Sequence, residues 1–329
     1  MHSEQPLLTI GVPTWNRAKE LQECIRSAAA QIVTVHDEVE IFVSDNASTD
    51  ETEVLLEQLE TEFKFLKHSR NDINLGPDGN FIETLKRSSG KYIWLFSDDD
   101  FLADGAVAEA LRIIKTYEPS YIATNYLYCD DQRAFIKAQP QRRFMISEDI
   151  SHTDLNRTFL ERNHWLSFVS CNIYRRELLD FADYERNIQH TPNWIQVYIA
   201  ADVLSKSPCG YLSSFSAVFA RTGNARIDSS PFVLAMPKAF KYIFEKFHMD
   251  VRVERSIIKE IRLTFLPFRS FLAQRALGAP ASPLLVPQYY KLGSLVPRKL
   301  ISIAWKCKRF LTGKGFSLPD RRSIEDAAV

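Results

Sequence analysis

Gly90-Lys91-Tyr92-Ile93-Trp94-Leu95-Phe96-Ser97-Asp98-Asp99-Asp100 changes character in one step. Tyr92 to Phe96 form an unbroken apolar run, the pattern of a short strand covered on both faces. Four polar residues then stop it. Three adjacent carboxylates at the end of a buried strand repel one another, and a divalent cation relieves that repulsion most readily. An acidic triplet is also the composition of a solvated turn, but its place directly after Trp94-Leu95-Phe96 favours a site. A calcium loop of the EF-hand type is excluded. Counting back from Gly105 makes Asp100 the first position and puts Leu102 at the third, where an oxygen ligand is required.

Outward from this strand, the first 125 residues alternate strand and helix signals. Leu7–Val12 is an apolar run ending at Pro13, and Leu21, Ile25, Ala28 and Ile32 recur at helical spacing. Val39–Ser44 predicts a second strand, Ser48-Thr49-Asp50-Glu51 a helix start, and Phe63–His68 a third strand. Asn71–Gly79 reads as a loop before a helix near Phe81–Ser88. A helix from Asp104 to Tyr117 and a strand near Tyr121–Tyr126 complete the series. Such alternation implies an α/β fold with a mostly parallel sheet covered on both faces, which gathers ligands outside the carboxyl ends of its strands. Polar residues follow three of the strands: Pro13-Thr14-Trp15-Asn16-Arg17, Ser44 to Asp50, and the acidic triplet. Asn16 also suits a helix cap and Asp45 a turn.

Beyond Cys129 the signal weakens, with a basic, glutamine-rich stretch over Gln132–Arg143 that reads as loop. Candidate elements resume at Leu155–Asn163, Phe168–Tyr174, Asn193–Leu204 and Tyr211–Ala220. After Pro231 the chain reads as helical, broken at Pro267, Pro280, Pro283, Pro287 and Pro297.

A chain of 329 residues with 45% hydrophobic and 25% charged side chains is neither disordered nor fibrous. Five widely spaced cysteines (Cys24, Cys129, Cys171, Cys209, Cys307) imply reduced thiols and no structural zinc. Met1–Pro6 lacks the charged start and apolar core of a signal peptide, and no apolar run reaches the roughly 18 residues of a membrane span. A cytoplasmic protein is expected. Residues 251–329 hold 15 Lys/Arg against 5 Asp/Glu, whereas residues 1–250 hold 26 against 36. A basic end meets an anionic partner, nucleic acid or a membrane surface, or is a solvated tail. No recognised nucleic-acid module accompanies it. Val296, Leu300, Ile303, Ala304, Cys307 and Leu311 recur on one helical face, with Arg298, Lys299, Lys306, Lys308 and Arg309 around the rest. Such a helix lies on an anionic membrane or packs on the catalytic domain. A Walker loop and a Gly-x-Gly-x-x-Gly fingerprint are absent, so phosphates are expected to be held through a metal.

Ile10-Gly11-Val12-Pro13-Thr14-Trp15-Asn16-Arg17, Val43-Ser44-Asp45-Asn46-Ala47-Ser48-Thr49-Asp50, Asn74-Leu75-Gly76 with Asn80, and Gly90 to Asp100 follow in the order and spacing of the motifs of family 2 glycosyltransferases. The chain resembles that family over about residues 6–125. The resemblance implies a GT-A fold, a nucleotide-sugar donor, and transfer with inversion to a hydroxyl of a glycan or lipid-linked saccharide. By the same resemblance Pro13, Thr14, Trp15 and Asn16 flank the nucleoside. Asp45 binds the base or ribose, with Arg70, Gly76 and Asn80 nearby. Asp98 faces the ribose, and Asp99, with Asp100 beside it, holds Mg2+ or Mn2+ on the diphosphate. Ser97 stands where many relatives carry the first Asp of an Asp-x-Asp motif, which leaves open which two of the three carboxylates act.

Loss of a nucleoside diphosphate develops negative charge that a divalent ion stabilises, while the acceptor hydroxyl needs a base on the opposite face of the sugar. Many relatives place a Glu-Asp pair at the start of a helix in the second half. Here the corresponding residues are His190-Thr191-Pro192-Asn193-Trp194, without the pair. His190 is therefore the candidate base, since histidine titrates near neutral pH, with Asp183, Glu185 and Asp202 in reserve. A fainter resemblance over residues 165–220 points to the abequosyltransferase-like branch of surface polysaccharide assembly. The expected division is a nucleotide-sugar-binding part over residues 1–125, an acceptor-side part over 126–230, and a helical basic extension over 231–329. Two alternatives remain. A sugar-nucleotide pyrophosphorylase shares the architecture but needs a Gly-rich, Arg-containing loop after strand one, unlike Gly11-Val12-Pro13-Thr14. An inactive binding protein could keep the fold without turnover.

Overall fold

The computed structural model describes residues 5–129, 145–162, 166–221 and 230–264. Leu8–Thr14 (β1), Val39–Asp45 (β2), Leu66–Arg70 (β3) and Tyr92–Leu95 (β4) form a parallel block in the order β3-β2-β1-β4. Every residue of β1, β2 and β4 is buried, which is why these segments read as apolar runs without alternation. Ala18–Ile32 (α1), Thr52–Glu62 (α2) and Gly76–Arg87 (α3) connect them. Leu21, Cys24, Ile25, Ala28 and Ile32 of α1 share one core with Ile10, Val12, Ile41, Trp94 and Phe96. Fully burying a side chain of this size contributes about 1.5–3 kcal/mol.

α3 begins five residues before the helix expected near Phe81, inside the stretch read as loop. Its Pro77 loses nothing in the first turn, where an N–H has no helical partner. Asp78 suits the positive end of the helix dipole. Gly76 takes φ +73°, open to glycine at no steric cost. Gly11 answers a different need. A Cβ there would lie 2.9 Å from Thr84 Cγ2, so glycine lets α3 lie close on β1 and brings Asn80 to the ends of β1 and β2.

The chain continues through Phe101–Leu102 (β5), Ala106–Tyr117 (α4), Tyr121–Cys129 (β6), Ile150–Thr153 (β7), Leu155–Arg162 (α5), Asn172–Arg175 (β8), Phe181–Asn187 (α6), Ile195–Lys206 (α7), Gly210–Arg221 (β9), Ser230–Lys246 (α8) and Val251–Thr264 (α9). The described strands make one sheet in the order β3-β2-β1-β4-β8-β6-β9-β5, with β7 also on β9. β1, β2, β3, β4, β6 and β9 run one way and β5, β7 and β8 run against them. The mostly parallel α/β sheet expected from the sequence is thus present. The strand expected over Phe168–Tyr174 is divided, with a single helical turn over Val169–Cys171 before β8. β5, β7 and α6 were not expected.

Cys24, Cys171 and Cys209 are free thiols. No helix among the described residues is long and apolar enough to cross a membrane. The Gln132–Arg143 loop, the breaks from Pro267 onward, Cys307 and the amphipathic stretch 296–311 lie outside the described residues. The chain divides between Glu260 and Ile261, within α9, and the site belongs wholly to the first unit.

Candidate active site

Strand register puts Thr14 of β1 opposite Asp45 of β2, and Asp45 opposite Arg70 of β3. Asp45 is 1% exposed. Its Oδ1 accepts the Ser48 N–H at 3.0 Å and its Oδ2 accepts from Arg70 Nη1 at 2.6 Å, while Arg70 Nη2 donates to the Ser48 carbonyl at 2.7 Å. Asp45 therefore both closes its turn and aims Arg70. Asparagines tie the three loops together, giving backbone groups beyond the strand ends their partners. Asn80 Oδ1 accepts from Ser44 Oγ (2.7 Å) and Asn71 Nδ2 (3.1 Å), and Asn80 Nδ2 donates to the carbonyls of Ser44 (3.0 Å) and Thr14 (3.4 Å). Asn46 Nδ2 donates to Asn74 Oδ1 (2.9 Å) and the Gly76 carbonyl (3.2 Å). Pro13 is buried in β1 opposite Ser44.

Between these loops Asn16 (φ +52°) and Ala47 (φ +60°) take left-handed backbone, which costs about 1–2 kcal/mol at a residue such as Ala47. Asn16 donates its N–H to Ser48 Oγ (2.9 Å) and accepts the Thr49 N–H at Oδ1 (2.7 Å). The helix-cap reading of Asn16 gives way to this loop clasp. The Trp15 ring beside it is 50% exposed, a flat apolar face on which a nucleobase can stack.

The acidic triplet faces two directions. Asp98 accepts from Thr14 Oγ1 (2.8 Å) and Arg17 Nη1 (2.9 Å), and Asp99 accepts from the same Arg17 nitrogen (2.9 Å) and from Ser97 Oγ (2.6 Å). One guanidinium nitrogen thus sits between two carboxylates. Burial pushes the Asp98 carboxyl up to about 6, with the charge of Asp99 adding and Arg17 and Thr14 opposing. Asp100 turns away: its Oδ2 accepts from Ser170 Oγ (2.5 Å) and its Oδ1 from the Arg221 N–H (3.3 Å). Burial and the neighbouring Asp99 charge push Asp100 well up.

Among the described residues no three His, Cys, Asp or Glu side chains gather as a metal cage. Mg2+ ordinarily takes one or two protein carboxylates and completes its shell with substrate phosphate and water. Asp98 and Asp99, already meeting at one cationic atom, fit an ion shared with a substrate.

His190 ends a single turn over Ile188–His190, and its ring stacks on Tyr242 of α8 with centroids 4.6 Å apart. The three reserve carboxylates hold structural partners. Asp202 accepts from Tyr184 Oη (2.7 Å) and Lys206 Nζ (2.6 Å), and Glu185 pairs with Lys86 (2.9 Å). Asp183 accepts from Tyr198 Oη (2.5 Å). Against the upward push of burial, that bond with the charges of Lys246 and Arg186 holds Asp183 below its ordinary range. The entry to α7 is tied to the first half of the chain by Asp78, whose Oδ2 accepts the Asn193 N–H at 2.5 Å.

The structure thus joins Thr14, Asp45, Arg70, Gly76, Asn80, Asp98 and Asp99 at the ends of β1 to β4, and sets Asp100 against Ser170. Arg17, Ser170 and Asp78 were not singled out by the sequence. Arg17 lies inside the first quoted motif and was legible there. Ser170 and Asp78 act across separations of 70 and 115 residues and have no local signal.

Residues 9–181 match the family described as glycosyl transferase family 2. The chain belongs to that family. The transferase is 28% identical over 276 residues to abequosyltransferase RfbV of Salmonella typhimurium, covering 77% of this chain and 80% of that one. It is 32% identical over 108 residues to the GalNAc(5)-diNAcBac-PP-undecaprenol beta-1,3-glucosyltransferase of Campylobacter jejuni, covering 32% and 34% of the two chains. Its fold matches residues 1–349 of S. aureus TarS, solved with UDP-GlcNAc, at a TM-score of 0.60 and 18% identity over 81% of this chain and 75% of that one. It also matches the mannosyltransferase PcManGT of Pyrobaculum calidifontis, solved with GDP-Man and Mn2+, at a TM-score of 0.55 and 15% identity over 94% and 88%. The GT-A fold and the family expected from the four motifs are both borne out. The family match also decides for a transferase over a pyrophosphorylase.

Proposed function

We propose that this family 2 transferase moves a hexosyl or deoxyhexosyl group from a nucleotide-sugar donor to a hydroxyl of a glycan or lipid-linked saccharide, with inversion. The observation that carries the reading is the convergence of Arg17, Asp98 and Asp99 beyond β1 and β4, beside the exposed ring of Trp15. Trp15 stacks on the nucleobase, framed by Pro13, Thr14 and Asn16. Asp45 and Arg70 meet the base or ribose, Gly76 and Asn80 shape that wall, and Asp98 meets the ribose. Asp99 with Asp98, the two carboxylates that meet at Arg17, would hold Mg2+ or Mn2+, which supplies Lewis acidity toward the departing diphosphate. Asp100, expected beside Asp99, is instead engaged by Ser170 and the Arg221 N–H. Arg17, released from the carboxylates, turns its planar charge to the phosphates.

The bond from the anomeric carbon to the diphosphate oxygen breaks as the acceptor oxygen attacks the opposite face, and the carbon passes through oxocarbenium character. His190 takes the acceptor proton. Residues 1–125 serve the donor and 126–230 the acceptor. Similarity to the Campylobacter jejuni GalNAc(5)-diNAcBac-PP-undecaprenol glucosyltransferase supports a lipid-linked acceptor, and the basic extension over 231–329 would dock on the anionic inner face of the plasma membrane.

A thermal-shift screen of nucleoside diphosphates with Mn2+ tests the reading, because selective binding stabilises the folded state by mass action. One base should raise the melting temperature in a metal-dependent way, and Asp99→Ala should lose that rise while staying folded. A parental rise in the variant overturns the metal assignment, and no rise with any base overturns the donor reading.

A further inference from the structure

The entry to α7 is built in an unusual way. This helix of twelve residues begins after Trp194, which gives no side-chain cap, and its first turn carries no acid. The N–H groups at a helix start need acceptors, and a Ser, Thr, Asp or Asn at position 194 would supply one locally. Here the acceptor is Asp78, on the first turn of α3, which takes the Asn193 N–H just ahead of the helix and that of Ile195, its first residue. The turn it meets is shaped for the purpose: Pro192 precedes Asn193, whose backbone is left-handed at φ +66°.

Asp78 is 8% exposed, and its Oδ1 is buried with no hydrogen-bond partner among the described residues. Burial pushes its carboxyl up to about 6, against the N–H groups of Asn193 and Ile195. A buried acid with one bare oxygen is a costly way to finish a helix. What it gains is a connection. The same turn of α3 carries the Gly76 carbonyl that accepts from Asn46 and the Asn80 amide that bridges Ser44 and Thr14. On its far side the α7 entry is gripped by aromatic rings, with Trp194 against Phe240 and His190 against Tyr242.

We infer that Asp78 is a positioning residue that fixes the His190–Ile195 turn to the donor-side helix α3, so that the proton acceptor stands in register with the bound donor. The inference rests on the reading of His190 as base. Displacing such a group by about 1 Å costs roughly 100-fold in rate.

The test compares Asp78→Ala with Asp78→Asn in the full chain. The alanine removes the acceptor of the turn, and the asparagine keeps a carbonyl oxygen in its place without burying a charge. Transfer turnover in Asp78→Ala should fall roughly 10–100-fold. Donor KM, and the stabilisation by nucleoside diphosphate with Mn2+ on the same sample, should stay parental. Asp78→Asn should recover most of the turnover. Parental turnover in Asp78→Ala overturns the inference, as does loss of donor stabilisation in step with turnover, the mark of a general structural defect. Should the alanine variant fail to fold, the asparagine variant decides: turnover lowered tenfold or more with donor stabilisation intact overturns the inference that an acceptor oxygen at this position holds the turn. His190→Ala at parental turnover beside an impaired Asp78→Ala would move the base to another group and leave the anchoring intact.

Discussion

Arg17 gives Asp98 and Asp99 a counter-charge before any other cation arrives, since one of its nitrogens lies 2.9 Å from each. An incoming divalent ion has to displace it. Arg17→Ala should therefore lower metal-free stability by about 1–3 kcal/mol and enlarge the rise in melting temperature produced by Mn2+; an equal or smaller rise refutes the competition. At His190, substitution by alanine should cost the roughly 10²–10⁴-fold in turnover typical of a lost general base, with nucleoside diphosphate stabilisation kept, and parental turnover excludes it. Asp78 sets a pH dependence. Its folded pKa of about 6 lies above the ordinary 3.8, so between these values the folded chain holds a proton that the unfolded chain has lost. The stability it contributes is full below about 4, falls as pH rises, and is gone above about 6. Asp78→Asn should flatten this part of the stability curve in denaturant titrations, and an unchanged slope would assign the titration elsewhere.

At the scale of elements, α3 is the piece on which the donor loops and the α7 entry both hang. Gly11→Ala would put a Cβ 2.9 Å from Thr84 Cγ2, overpacking that costs about 1–3 kcal/mol and tilts α3, moving Asn80 with it. Adding Thr84→Ser removes the methyl and should restore part of both the melting temperature and nucleotide affinity; a Gly11→Ala chain as stable as the parent would sink the idea. β1, β2 and β4 were legible because burial on both faces writes itself as an apolar run, and α1 because its buried face recurs with the helical period. Thr14, Asp45 and Asp98 were legible because polar residues stop those runs. The two residues of β5 and the four of β7 are too short to carry a period. The start of α3 was hidden because Gly76-Pro77-Asp78-Gly79 has the composition of a loop. α6 did leave a trace: the Asp180 side chain accepts the Asp183 N–H, a capping pattern readable from Asp180 just before Phe181. Nothing local announces that Ser170 meets Asp100 or that Asp78 reaches Asn193, because each pairing exists only once the sheet has assembled.

Across the whole molecule, charge is sorted along the chain, with the basic excess after residue 250. Each Lys or Arg near an anionic leaflet contributes about 1 kcal/mol, so co-sedimentation with liposomes should require anionic lipid, weaken with salt, and vanish when residues 294–329 are deleted. Parental binding by the truncated chain, or none by the full chain at low salt, rejects membrane docking. The order of the sheet has its own long reach. β4 lies between β1 and β8, with Tyr92 opposite Arg175, so one edge of its Tyr-Ile-Trp-Leu segment stays bare until the later strand is made. At about 5–20 residues per second a ribosome takes roughly 4–16 s to cover that interval. Throughout it the nascent chain displays an apolar edge of the kind that templates association. A fragment ending at residue 125 never closes that edge. Although it contains every proposed nucleotide contact, it should pellet as aggregate on expression, while a chain carried through β8 and β9 stays in the supernatant.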